Sequence, residues 1–225
     1  MKIKCLYEFE CFSKYSQFTD FIDEINWKIE KQLLKNRVLK YKNLQYYLIL
    51  KNRFYEKEIS IFPLKEEEII TWFDTTVLLR RILFDLYKKG MNTEKLTIIM
   101  EYPLIYGNHM RSDYLLIYDR LIVILEFGMF NQDERRSEER YTKKLQESIS
   151  YRQIIDNVVS NSTKVVNYVL IYKPEYNDDT KKNMIENIEY NKNEINKLVV
   201  FLRQHILNED QSDAKKQLEL IANFG

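Results

Sequence analysis

Two apolar runs, residues 113–118 and 121–127, are separated only by Asp119 and Arg120. Runs so short, rich in β-branched and aromatic side chains and joined by so tight a link, predict a β-hairpin. A further apolar run at 96–100 precedes them and closes at Glu101-Tyr102-Pro103; Tyr106-Gly107-Asn108 carries a turn signal. After the hairpin come a charged stretch at 131–140 and a long helix expected over 138–159. Residues 165–172 form a near-continuous apolar run, of the kind suited to burial on both faces. Upstream, Pro63 is followed by Lys65-Glu66-Glu67-Glu68, acids that favour the first turn of a helix. Apolar residues from Ile69 through Trp72 to Leu86 continue that helix until Gly90. The order is helix, three strands, helix, strand, which fits α/β packing around a buried sheet.

The first 65 residues read as a mixed α/β extension of this core. Residues 3–12 predict a strand, and Phe18, Phe21, Ile22, Ile25, Ile29, Leu33 and Leu34 predict a helix over 19–35. Residues 44–50 and 57–62 resemble strands. Beyond 175 the chain is polar until 195–207, expected to be a closing helix. The expected organisation is thus 1–65 extension, 66–175 core, and 176–225 polar segment with its helix, either a complete small protein or the N-terminal piece of a larger one.

Composition narrows the classes. With 225 residues, 45% hydrophobic and 31% charged, and only 4 Gly and 3 Pro, the chain reads as packed and globular. Its formal charge of +1 means that any contact with nucleic acid has to come from local patches. Cys5 and Cys11 with His109 and His205 make neither a disulfide framework nor a zinc site by their spacing. No run approaches the roughly 20 apolar residues of a membrane span, and the acidic start is unlike a signal peptide. A cytoplasmic protein without membrane association is expected.

Three acids fall at strand ends: Glu101, Asp113 and Glu126. In an antiparallel hairpin the start of one strand lies beside the end of its partner, so Asp113 and Glu126 can be neighbours. Hard divalent cations take carboxylate oxygens, and magnesium is commonly held by one or two carboxylates together with substrate phosphate. Glu101 could supply a third oxygen. The plain alternative is that such acids merely keep strand termini soluble.

Arg111-Ser112-Asp113-Tyr114-Leu115-Leu116, then Val123-Ile124-Leu125-Glu126-Phe127-Gly128, resembles the motif of the PD-(D/E)xK nucleases, the restriction-endonuclease-like superfamily. The helix carrying Trp72 and the segment Met100-Glu101-Tyr102-Pro103 also look like those of nuclease domains found alone or ahead of helicase modules. The resemblance covers residues 67–172. It implies a restriction-endonuclease-like core and metal-dependent hydrolysis of DNA. Mg²⁺ or Mn²⁺ would be bound by Asp113 and Glu126, with Glu101 a further catalytic candidate. It also implies a setting in prokaryotic defence and a helicase or other protein partner.

One departure stands out. The family's lysine should occupy position 128, where this chain has Gly128. The chain is then an inactive relative, or the residue has been changed, or another cation has taken over. Lys144, Glu147 and Tyr151 share a helix face at i, i+3, i+7, with Lys143 close to it. The Glu147-x-x-x-Tyr151 pair resembles the Gln-x-x-x-Tyr element of some members, and migration of a catalytic side chain to this helix is known in the superfamily. The plain alternative is that Lys143 and Lys144 are solvated and one pairs with Glu147. Arg111, Arg140, Lys143 and Tyr151 are the candidate DNA contacts within a basic concentration that includes Arg120, Arg135, Arg136 and Arg152, interleaved with Asp133, Glu134, Glu138 and Glu139. Two functional readings result: a metal-dependent nuclease, or a silent nuclease-like module binding nucleic acid or protein. A purely structural subunit is the weaker third.

Overall fold

The computed structural model describes residues 2–104, 110–130, 134–176 and 181–222. The turn expected at Tyr106-Gly107-Asn108 lies outside them, as do His109 and Asp133. The chain opens with a short strand β1 (Tyr7–Phe9) and the helices α1 (Phe12–Phe18), α2 (Asp20–Glu24), α3 (Leu34–Tyr41) and α4 (Gln45–Glu56). The long helix α5 (Glu66–Lys88) leads into the strands β2 (Thr97–Pro103), β3 (Arg111–Tyr118) and β4 (Leu121–Met129). Then follow α6 (Glu134–Asp156), β5 (Lys164–Tyr172), α7 (Lys181–Gln211) and α8 (Ala214–Ala222). The order expected for the central region, helix, three strands, helix, strand, is the order observed.

The five strands form one mixed sheet in chain order. The first three pairings are antiparallel, and β4–β5 is parallel. A parallel pair needs a crossover, and α6 provides it. In the β3–β4 hairpin Tyr118 pairs with Leu121, and Asp119 takes a left-handed conformation (φ 51) that a short polar side chain tolerates.

Strand alternation sorts the sheet's side chains into two layers. Ile99, Leu115 and Ile124 pack against Tyr151 and Ile155 of α6. Ile98, Met100, Tyr114, Leu116, Val123, Leu125 and Leu170 join the larger core built on α5 and α7. Helix α5 is buried around most of its circumference, including Asp74, Thr75 and Thr76, as befits a helix enclosed by neighbours on several sides.

The N-terminal region departs from expectation. Residues 44–50 and 57–62 are not strands: α4 runs through 45–56, and 57–62 is irregular. The buried residues Tyr47, Leu50 and Phe54 recur at i, i+3, i+7, and a short apolar run cannot by itself distinguish strand from helix. The helix expected over 19–35 is replaced by α2 and α3 with an extended link between them. Asn26 adopts φ 50 just beyond α2, and the Trp27 indole N–H then donates to Asp74 at 2.9 Å, drawing the link into the core. Asp74 also forms a fully buried ion pair with Arg37 (2.7 Å) and accepts from the Tyr172 hydroxyl (3.3 Å). The extension therefore shares the central core. Removing one partner of such a buried pair costs about 3–5 kcal/mol. No helix among the described residues is long and apolar enough to cross a membrane.

Candidate active site

The β3–β4 ladder pairs Tyr114 with Leu125. One step further along, side chains replace backbone partners. The Asp113 N–H donates to Glu126 Oε1 at 3.0 Å, and the Phe127 N–H donates to Asp113 Oδ2 at 2.9 Å. Each acid thus satisfies a backbone donor of the opposite strand and is held in place by it. Glu126 follows Ile124 by two residues and so shares its face, the one that α6 crosses.

Helix α6 delivers a cation to this point. Lys144 Nζ lies 3.3 Å from Glu126 Oε2 and 3.6 Å from Asp113 Oδ2. Two oxygens so close to one nitrogen are well within the roughly 8 Å beyond which two carboxylates could not share an ion. Burial pushes the Glu126 carboxyl well above its ordinary range, the Asp113 charge pushes it further, and Lys144 opposes both. The negative charge of Asp113, then that of Glu126 and Glu147, holds Lys144 firmly protonated against its own burial.

Glu101 is turned differently. It adopts φ 54, which interrupts the alternation of β2. Its carboxylate accepts from the Trp72 indole N–H at 2.9 Å and lies 3.3 Å from Arg111 Nε. Burial pushes its pKa up to about 8, opposed chiefly by Arg111. Arg111, expected on phosphate, is held between Glu101 and Glu68 with its guanidinium over the Phe54 ring. Trp72 and Glu68 were legible only as a core residue and a helix-start acid, because nothing local in the sequence links them to a strand end far along the chain.

Asp113, Lys144, Glu101, Arg111, Glu68 and Trp72 line a cavity of about 670 Å³ that also takes in Arg140, Lys143, Glu147 and Tyr151, while Glu126 is fully buried and does not line it. Tyr151 is buried beneath the acids, whereas Arg140 and Lys143 are exposed at the rim. Lys144, Glu147 and Tyr151 therefore border one space, and Lys144 is the member that reaches both carboxylates.

Gly128 is buried on β4, aligned with Ile171 of β5. A Cβ at 128 would lie 2.6 Å from Ile171 Cδ1 and 3.7 Å from Arg140. The Ile171 side chain crosses the space that a side chain at 128 would need. No sequence signal pointed to Ile171.

Asp113 and Glu126 fit a hard divalent cation: their oxygens converge, and a positively charged nitrogen already stands where both face. Among the described residues no group of three or more His, Cys, Asp or Glu side chains converges in this way. The acidic pair therefore stands without a third converging acid, Glu101 being drawn off by Trp72 and Arg111.

The chain matches no protein-family model and no curated protein.

Proposed function

We propose that this protein is a metal-dependent nuclease of the restriction-endonuclease-like type acting on DNA, with Lys144 in place of the lysine absent at position 128. The observation that carries the reading is the convergence of Lys144 Nζ on Glu126 and Asp113, at 3.3 and 3.6 Å. In this reading Asp113 and Glu126 hold Mg²⁺ or Mn²⁺ through oxygens already oriented by the β3–β4 backbone. A divalent ion there supplies Lewis acidity and lowers the pKa of water. Lys144 is an ammonium with three donors on a flexible stem. It can orient a water for attack and balance the negative charge that grows on the phosphate. Arg140 and Lys143 at the rim can take phosphates on either side, a contribution that weakens as salt rises. Prokaryotic defence, and a helicase or other protein partner, belong to the same proposal.

A second reading rests on a specific observation: Lys144 lies close enough to neutralise both acids, and Ile171 crosses the space at Gly128. A silent module that binds nucleic acid would have this arrangement too. Cleavage of DNA by the intact chain with Mg²⁺ or Mn²⁺, compared with Asp113→Asn, separates the two. Cutting that disappears in the variant supports the nuclease; DNA binding without cutting under either metal supports the silent module.

A further inference from the structure

We infer that the substrate is a single strand of DNA, drawn along a groove that runs from the acids past Arg140 to an aromatic pair at Phe130 and Tyr190. The inference rests on the nuclease reading for its end at Asp113 and Glu126, and on separate observations for its path.

A second cavity of about 730 Å³ adjoins the first. Leu34, Met129 and Arg140 line both, so the two form one continuous groove. The second segment carries four cations, Lys31, Lys35, Arg140 and Lys173, against two acids, Glu67 and Glu186. Positive charge is thus concentrated in this segment of a protein whose formal charge is only +1. At its far end the Phe130 and Tyr190 rings lie 6.4 Å apart, and Lys173 Nζ sits 4.5 and 4.3 Å from their centroids. Phe130 borders the second cavity and, with Tyr190, the next one, whose lining carries the acids Glu134, Glu138 and Glu194, so the cationic part of the path ends at Lys173 and Phe130.

Cations that follow a backbone, combined with aromatic faces for bases, are the chemistry of single-strand binding. A duplex offers the same phosphates but keeps its base faces stacked inside, so Phe130 and Tyr190 would have nothing to receive. Cavities of several hundred Å³ enclose ligands of small-molecule size. Two in series suit a few nucleotides with their bases unstacked. The segment at 31–35 on one side and α6 on the other bound this path.

The test is fluorescence anisotropy with a labelled oligo-dT strand and a blunt duplex of equal length, without divalent metal so that neither is cut. The single strand should bind at least about tenfold more tightly. Phe130→Ala and Lys173→Glu should each weaken it by about tenfold, the scale of one lost stacking or backbone contact. Lys35→Glu, at an exposed position, should weaken it in the same direction and guards against a folding defect at Phe130. Equal or tighter duplex binding, or strand affinity unchanged in Lys35→Glu and Lys173→Glu, overturns the inference. If duplex DNA is nevertheless cut with Mg²⁺, the nuclease reading stands and only the single-strand path falls. If neither DNA binds, the single-strand path falls, and cleavage with Mg²⁺ or Mn²⁺ alone decides the nuclease reading.

Discussion

Asp113 and Glu126 complete each other's strands: the Asp113 N–H donates to Glu126 Oε1 at 3.0 Å, and Asp113 Oδ2 accepts from the residue that follows Glu126. The two carboxylates are fixed by the sheet itself, before any ligand arrives. Ionising the buried Glu126 beside the Asp113 charge is unfavourable without a compensating cation, and Lys144 provides one. A site built in this way should respond to metal, to pH and to packing in distinct ways.

Metal should stabilise the fold through Asp113. At a concentration about a hundredfold above Kd, a bound ion adds about 2.7 kcal/mol. Mn²⁺ is expected to raise the melting temperature of the unaltered chain and to leave Asp113→Asn nearly unmoved. Equal shifts in both would place the ion elsewhere.

Glu101 gives a pH signature. Its pKa is raised from 4.5 to about 8 by burial, so the folded state prefers the neutral carboxyl. That contribution to stability is fully present below pH 4.5 and is lost as pH rises through about 8. Glu101→Gln removes the titration while retaining an acceptor for Trp72. Relative to the variant, the unaltered chain should lose stability between pH 5 and pH 9, read from paired thermal melts. A difference independent of pH would contradict a carboxyl whose burial outweighs its pairing with Arg111.

Gly128 and Ile171 should be coupled. Gly128→Ala pushes its Cβ against Ile171 Cδ1, the end of a flexible side chain that can turn aside, and is expected to cost about 1 kcal/mol, the low end for overpacking. Ile171→Val deletes that methyl group, with a loss of its own of about 0.5–1.5 kcal/mol. The double variant should be clearly more stable than the two single losses added together. Simple additivity in chemical denaturation would show that Ile171 does not limit position 128. Restoring a lysine through Gly128→Lys meets the same obstacle.

Much of the central region was readable from local pattern. The hairpin at 113–127, the helix before 96–100 and the apolar strand at 165–172 each carry their own periodicity, and β3, β4, α5 and β5 occur there. The N-terminal region was less legible because its runs are short: Tyr47, Leu50 and Phe54 look much the same to a strand or a helix until their neighbours are known. At the site, the adjacency of Asp113 and Glu126 follows from hairpin geometry, and Lys144 from helix spacing. The Trp72–Glu101 bond and the Ile171 side chain across Gly128 could not be read, because both join segments far apart in sequence through packing alone.

The central claim is that Lys144 serves the reaction that Gly128 cannot. Single-turnover cleavage of DNA with Mg²⁺ or Mn²⁺, by the unaltered chain and by Lys144→Ala, tests it most directly. The account predicts cutting by the unaltered chain and a loss of at least about a hundredfold in Lys144→Ala, the scale expected for removing one group that balances transition-state charge. Undiminished cutting by Lys144→Ala, or no cutting by the unaltered chain under either metal, would contradict it.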